Sequence, residues 1–298
     1  MNDLEEVFMS GVAIVTDSNS GITQEEGKEL GIYVLPMPFL IEGKEYFEDI
    51  TLTQDEFYRK LGDNVSVSTS QPSAGSVLEL WDKAFADGYD EVVHIPMSSG
   101  LSGECETAIM LADEYEGKVQ VVNNHRISVT QKASVMEAIE LAGRGMSAEE
   151  IREFLEAAKS DTMIFIMVDT LKYLKKGGRV TPAGAALATI LGIKPVLKIE
   201  GGKLDAYAKA RSVRAARRTM IDAVMSDIKE RFPKDFESNN YELQIAYTYD
   251  RETADKFQEE VYAAFPGIKS IVVNCLSLSV SCHIGPGSLA LAWTKKNI

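Results

Sequence analysis

Two hydroxyl-rich segments are the places where this sequence could do chemistry. Ser66–Ser73 (SVSTSQPS) carries hydroxyls at Ser66, Ser68, Thr69, Ser70 and Ser73 and runs into a stretch with helical spacing of apolar residues. Met97–Gly103 (MSSGLSG) follows directly on an apolar, strand-like run that ends at Pro96. Backbone at the start of a helix presents N–H groups without intrahelical partners, and these favour anions. Serine and threonine add short, uncharged donors to the same place. The same residue types are also the preferred N-caps, so any one of these serines reads first as a cap. Two such clusters in one chain read equally well as an anion site.

The histidines divide in a similar way. His94 sits inside the apolar run Glu91–Pro96 and reads as a core residue. His125, in NNHR, follows a strand and reads as a cap or a binding residue. His283, in SCHIGPG, is the strongest site candidate, although a surface turn would also explain it. Gly285, Pro286 and Gly287 beside it predict a tight turn that brings backbone close to a neighbour. Asp17-Ser18, after the first apolar run, reads as a cap before a contact to a polar ligand. Cys282 beside His283 makes no metal pair, and no metal site is legible. The sequence carries no GxSxG, GxxxxGK[ST], GxGxxG or HExxH.

The elements that must position these residues alternate between strand and helix. Strand-like runs occur at Val12–Thr16, Ile32–Ile41 (broken by Pro36 and Pro38), Glu91–Pro96, Val119–Asn123, Met163–Val168, Tyr241–Tyr249 and Ile268–Val273. Helical patterns fill the intervals, and Thr53 with Glu56 and Ser147 with Glu150 form capping-box pairs. Ile193–Ala208 reads as two strands around Gly201-Gly202, a hairpin. This alternation predicts two α/β domains with mainly parallel sheets, at residues 11–165 and 166–298. Ligands of such folds sit at the carboxyl ends of strands or between domains.

The chain has 298 residues and a net charge of −14. That balance argues against a general nucleic-acid or anionic-membrane binder. Residues 172–218 reverse it, with twelve Lys/Arg against two acids, a local +10. Such a segment suggests a phosphate-bearing ligand or an acidic partner, or a solvated helix face where Arg214, Arg217 and Arg218 fall at helical spacing. No run reaches the ~18 apolar residues of a membrane helix; Ala183–Ile193 is too short. The acidic N-terminus lacks a signal-peptide core. Three cysteines without CxxC spacing argue for a reduced, cytoplasmic protein.

Taken together the motifs resemble the DegV family. VTDSNS (Val15–Ser20), STSQPS (Ser68–Ser73), SSGLSG (Ser98–Gly103), DTLKYLKKGGRV (Asp169–Val180), IKPVLKIEGGK (Ile193–Lys203), KAR (Lys209–Arg211) and HIGPG (His283–Gly287) run in family order along nearly the whole chain. The resemblance implies a DegV-like two-domain α/β fold, its N-terminal domain related to dihydroxyacetone kinase and mannose phosphotransferase domains. It implies one long-chain fatty acid, such as palmitate or oleate, held between the domains. It also implies a non-catalytic substrate subunit and lipid carrier, which presents the carboxylate to a separate ATP-dependent fatty acid kinase subunit for acyl-phosphate formation.

Residue by residue, the resemblance puts the carboxylate at Thr69, with Ser68 and Ser70 beside it, and at Ser99, with Ser98 beside it, near His283. It puts Arg211 and Arg179 at the head group or the partner contact. It implies no catalytic residue, cofactor or metal in this chain. Where family members often continue SSGLSG with Thr-Tyr-Gln, this chain has Glu104-Cys105-Glu106. The physics fits: about fifteen buried carbons at ~0.8 kcal/mol each supply about 12 kcal/mol of gross driving force. Hydroxyl ligands orient the carboxylate while leaving an oxygen free to react. Two other readings are a lipid-responsive regulatory module without phosphoryl transfer, and a small-molecule phosphotransferase. The second needs a nucleophile or nucleotide loop that the sequence does not show.

Overall fold

The structure is a computed structural model that describes residues 11–62, 65–190 and 192–298. Residues 1–10, where the absence of a signal-peptide core was read, and Leu191, within Ala183–Ile193, lie outside the described residues. The first half runs β1 (Val12–Asp17), α1 (Gln24–Leu30), β2 (Tyr33–Leu35), β3 (Pro38–Ile41), β4 (Lys44–Phe47), α2 (Gln54–Gly62) and β5 (Val67–Thr69). It continues α3 (Ala74–Ala86), β6 (Glu91–Ile95), α4 (Glu104–Ala112), β7 (Val119–Val121), α5 (Val129–Gly143) and α6 (Ala148–Ala157). The second half runs β8 (Thr162–Met167), α7 (Lys172–Gly177), α8 (Pro182–Ala186), β9 (Lys194–Ile199), β10 (Asp205–Ala210), α9 (Val213–Arg231) and α10 (Pro233–Ser238). It ends β11 (Tyr241–Tyr247), α11 (Arg251–Ala264), β12 (Ile271–Cys275), α12 (Leu278–Ile284) and β13 (Leu289–Lys295).

Local chemistry sets many of the boundaries. Ser147 and Glu150 close a reciprocal capping box on α6, and Thr53 and Glu56 exchange the same two contacts ahead of α2. Gly31 ends α1 in the left-handed region that glycine tolerates. Asp17 caps the 3₁₀ turn Ser18–Ser20 by accepting the Asn19 N–H at 2.7 Å.

The chain folds around three sheets. The first, ordered β2-β1-β6-β7, is parallel throughout. Its strands are buried on both faces. Ile14 and Val93 pack with Val135, Ile151 and Leu155 of α5 and α6, while Val15 and Val92 pack with Trp81 of α3 and Cys105 of α4. The second sheet is ordered β10-β9-β8-β13-β11-β12. Its strands alternate with period two. Met163, Phe165 and Met167 turn toward α9 and α11, whereas Ile164, Ile166 and Val168 turn toward the first half of the chain. The third, β4-β3-β5, is a small antiparallel unit whose core includes Phe39, Phe57, and Leu278 and Cys282 of α12.

The α/β class stands, but the mainly parallel arrangement holds only for the first sheet. In the second, β11–β12 is the one parallel pair among the described strands, and the other four pairs are antiparallel. The physical reason is connectivity. The β9–β10 hairpin joins neighbours through a short turn, which forces antiparallel pairing, and the last strand β13 inserts between β8 and β11 in the opposite direction. The expected boundary at residues 165/166 falls inside β8, all six residues of which pair with β13. Among the described residues no helix is long and apolar enough to cross a membrane.

Glu104, at the start of α4, is buried, and among the described residues neither of its carboxylate oxygens has a hydrogen-bond partner. Burial first, and the Asp17 carboxylate second, hold its pKa well above the usual carboxylate range. Burial likewise raises Asp17 to about 6, against the N–H donors of Met97 and Asn19 and the Gln131 amide. Raised folded pKa values cost stability as pH rises. The cost is absent below the unfolded value of about 4.5 and complete above the folded one. Replacing Glu104→Gln therefore stabilises the protein at neutral pH by about 1–3 kcal/mol, a rise of a few degrees in Tm. At pH 4.5 the gain is small. Calorimetry at the two pH values checks this, and equal gains would contradict it.

Candidate functional site

The inner face of the second sheet does not close fully against the first half of the chain. Its floor is made of small residues at its centre: Ala246 of β11 lies opposite Ala290 of β13, and Ala290 lies opposite Ile166 of β8. A row further along, Ala292 faces Ile164, which faces Ile199 of β9. Alanines where isoleucine or leucine would fill the space leave a cavity with about 1070 Å³ of empty space, counting the part open at its mouth. Four strands, β9 to β11, contribute to this floor, a width of about 14 Å at ~4.8 Å per step. The other walls are Met97, Leu101, Ile127 and Val129 from the first half, and Leu276, Val280 and Ile284 at α12. The lining is mostly apolar with a few polar groups, the general character of a small-molecule site.

Most of the polar groups gather at the mouth. Thr69, the last residue of β5, and His283, in the last turn of α12, join through a 2.8 Å contact between Thr69 Oγ1 and His283 Nε2. Ser70, Gln71, Ser102, Gly103 and Arg179 complete the rim, with Ser70, Gln71 and Gly103 exposed. Arg179 is held there by donating from Nε to the Leu101 carbonyl (3.1 Å) and from Nη1 to the Gly177 carbonyl (2.6 Å). Gln71 Nε2 donates to Thr107 Oγ1 at 3.2 Å, tying the first hydroxyl-rich segment to α4, the helix that follows the second.

Glycines make this assembly sterically possible. A Cβ on Gly177 would stand 2.0 Å from His283 Nδ1, and one on Gly285 would stand 2.4 Å from the Tyr173 ring. Gly285 also has φ +76°, so both its conformation and its contact require glycine. The GGR and HIGPG motifs are thus two halves of one interlock between α7 and α12. A Cβ on Gly100 would stand 2.6 Å from the Gly201 carbonyl oxygen, and Ser98 Oγ donates to that same carbonyl. SSGLSG and the GGK turn form a second interlock, which joins the two halves of the chain.

His283 is half-buried, and burial first, with the Arg179 charge second, pulls its pKa down to about 4. The ring is therefore neutral at physiological pH. With the proton on Nε2, the imidazole donates to Thr69 Oγ1, and the threonine hydrogen is left to donate into the cavity. The mouth thus offers Thr69, Ser70 and Ser102 hydroxyls and the Arg179 cation to an anionic head group.

The structure brings Thr69, Ser70, His283 and Arg179 to one place. It puts Ser68, Ser98, Ser99 and Arg211 elsewhere. Ser68 pairs with Leu40 in the β3–β5 ladder and, by strand alternation, is exposed on the opposite face from Thr69. Ser98 is buried and committed to the Gly201 carbonyl. Ser99 is half-buried and not among the lining residues; Ser102, three residues on, takes its place. Arg211 follows the far end of β10, whose near end adjoins Leu204, the partner of the Arg179 carbonyl. A six-residue strand of about 20 Å separates Arg211 from Leu204, and Arg211 is not among the residues that line the cavity.

The other sequence candidates also resolve. His94 is a core residue, edge-on to Trp81, with its pKa pushed down to about 3 by burial. His125 has φ +60° and packs its Cβ on Gly201. In the basic segment, Lys194 pairs with Asp169 and Arg217 with Glu260. His283 lies in a short helix rather than a turn. Sequence reasoning missed Asn19, Ser102, Ser128 and Ser279, which all line the cavity. Asn19 and Ser102 lie inside VTDSNS and SSGLSG, whereas no motif marks Ser279. Among the described residues no group of three or more His, Cys, Asp or Glu could hold a metal.

A family model described as "Uncharacterised protein, DegV family" matches residues 11–296. A DegV domain-containing protein of Staphylococcus aureus is 28% identical over 288 residues, covering 97% of this chain and 100% of the relative. A solved structure of a fatty-acid-binding DegV family protein from Thermus thermophilus superposes with a TM-score of 0.85 at 29% identity, covering 96% of this chain and 99% of that one. DegV of Bacillus subtilis, a fatty acid binding protein, superposes at 0.80 with 27% identity, covering 96% and 100%.

The neutral imidazole gives a direct test. In ¹⁵N-histidine spectra, the signal lost in His283→Asn stays that of a neutral ring from pH 8 to pH 5.5 and titrates near 4. A midpoint near the ordinary 6.5 would contradict the buried, Arg179-facing placement.

Proposed function

The chain belongs to the DegV family, and on that premise, together with the cavity, we propose that it binds one long-chain fatty acid with the carboxylate at the mouth and the acyl chain over the alanine floor. The observation that carries this reading is the joining of an apolar cavity to a rim of hydroxyls at Thr69, Ser70 and Ser102 beside a neutral His283. The fatty-acid-binding relatives from Thermus thermophilus and Bacillus subtilis support it. Buried methylenes supply the affinity, at ~0.8 kcal/mol each, much of it offset by lost freedom. The rim sets orientation.

The reading extends to presentation of the carboxylate. Hydroxyl donors and one cation hold an anion without enclosing it, and Ser70, Gln71 and Gly103 leave the mouth open to solvent. A carboxylate there stays accessible to a separate ATP-dependent kinase subunit, which would convert it to the acyl phosphate while this chain carries the lipid. In this role the chain supplies binding and no catalytic residue. Arg179 then stands where the added negative charge appears, and a charge-assisted contact to the phosphoryl oxygens favours the product.

Native mass spectrometry of the purified protein checks the binding step. The expected result is a one-to-one mass excess of a C14–C18 fatty acid, lost on denaturation. The variant Ala290→Phe fills the floor and lowers palmitate affinity at least tenfold while the protein still melts cooperatively, since overpacking costs only about 1–3 kcal/mol. An apo mass with no uptake of added palmitate or oleate would contradict the reading. For presentation, Arg179→Ala lowers acyl-phosphate formation with a cognate kinase subunit more than it lowers palmitate binding. Equal losses would assign Arg179 to binding alone.

A further inference from the structure

Part of the cavity wall beyond the rim is also polar. Asn19, 2% exposed, lines the cavity beside Ser279 and Met97. Its Oδ1 accepts hydrogen bonds from Ser277 Oγ (3.0 Å) and from Ser279 Oγ. The other end of the amide faces the Met97 sulfur, which can accept but not donate, and this assigns the nitrogen to that end. The amide nitrogen is less well served: Nδ2 donates to the Met97 Sδ at 2.9 Å, and a thioether is a weak acceptor. Ser279, having given its hydrogen to Asn19, keeps oxygen lone pairs at the cavity wall. One buried donor and one buried acceptor therefore face the space that an acyl chain would fill.

A saturated hydrocarbon can satisfy neither group. Buried polar groups left unpaired are costly, and a site built to hydrogen-bond a ligand hydroxyl discriminates against the analogue that lacks it. A hydroxyl is a donor and an acceptor at once, the complement of Ser279 Oγ and Asn19 Nδ2. It also carries no charge, so it would not be drawn to the Arg179 end instead. The feature lies away from the head group: Ser279 stands one helical turn before His283 on α12, about 6 Å along the axis, and its partner Asn19 is contributed by the other half of the chain.

We propose that Asn19 and Ser279 form a hydroxyl-recognition subsite inside the acyl cavity, and that the ligand class of this protein is a long-chain fatty acid hydroxylated along its chain. This deepens the proposed function and rests on it. Thr69, Ser70, Ser102 and Arg179 take the carboxylate, and the inner pair takes the chain oxygen. A leucine at position 19 removes donor and acceptor while keeping a similar volume. The substitution Ser279→Ala removes the acceptor and one of the two hydroxyl donors to Asn19 Oδ1, and leaves the other, Ser277, in place.

The test measures Kd by calorimetry for stearate, 12-hydroxystearate, palmitate, 3-hydroxypalmitate and 5-hydroxypalmitate, which place the hydroxyl at different distances from the carboxylate. Each ligand is measured with the wild-type chain, with Asn19→Leu and with Ser279→Ala. The expected result is that at least one hydroxylated acid binds as tightly as its parent or tighter. Both variants should then shift that ratio at least tenfold toward the parent, with affinity for the parent retained. Two results would overturn the subsite: every hydroxylated acid binding more weakly than its parent in the wild-type chain, or a ratio that Ser279→Ala leaves unmoved. If Asn19→Leu fails to fold, Ser279→Ala alone decides. Absence of binding by stearate and palmitate as well would instead refute the fatty-acid reading on which the subsite depends.

Discussion

The His283 ring can lie against the backbone at residue 177 only because no Cβ stands there. That one steric allowance sets much of the site. It seats α12 against α7, which turns His283 toward Thr69 at the end of β5, and it leaves Arg179, two residues further on, at the same rim. The elements that meet there come from three parts of the fold: the small antiparallel unit, the second half of the chain, and the Met97–Gly103 loop of the first half. None of them makes a head-group site alone. The site exists where the units are packed together, and the glycines at 100, 177, 201 and 285 are where backbone must come close enough for that packing.

Affinity and orientation are separated in space. The floor formed by Ala246, Ala290 and Ile166 offers only apolar contact, which is nondirectional and scales with buried area. The rim offers hydroxyls, one cation and a neutral imidazole, which contribute less free energy but fix the position of the carboxylate. A neutral His283 matters for this division. In the proposed function, a charged ring beside Arg179 would bind the carboxylate tightly and hinder its presentation. Burial keeps the ring uncharged, so that it orients Thr69 instead.

Much of this was legible before the fold was known, and the exceptions have physical causes. The strand–helix alternation, the capping boxes at α2 and α6 and the β9–β10 hairpin are local, and short-range chemistry decides them. Sheet direction is not local: β13 enters between β8 and β11, and nothing in LALAWTK states its neighbours or its direction. The TSQPS and HIGPG motifs named Thr69 and His283, which the fold brings together at the cavity rim, whereas residue type alone could not separate Ser68 from Thr69. Strand alternation does that, and the three residues of β5 are too few to show that alternation in the sequence. Ser98 and Ser102 are equally polar in sequence. Only the approach of the Gly201 carbonyl makes the first structural and leaves the second at the rim. Asn19 and Ser279 escaped notice because each becomes meaningful only beside the other, 260 residues away.

The central claim is that the seam between the two halves of the chain holds an acyl chain, with its carboxylate at the Thr69–His283 rim. A crystal structure of the protein with palmitate bound tests it most directly. The account predicts electron density for the chain over Ala246 and Ala290, with the carboxylate within hydrogen-bond distance of Thr69 Oγ1 and close to Arg179. Density for the lipid on an outer surface, or a chain in the cavity with its carboxylate at Asn19 and its methyl end at the mouth, would contradict it.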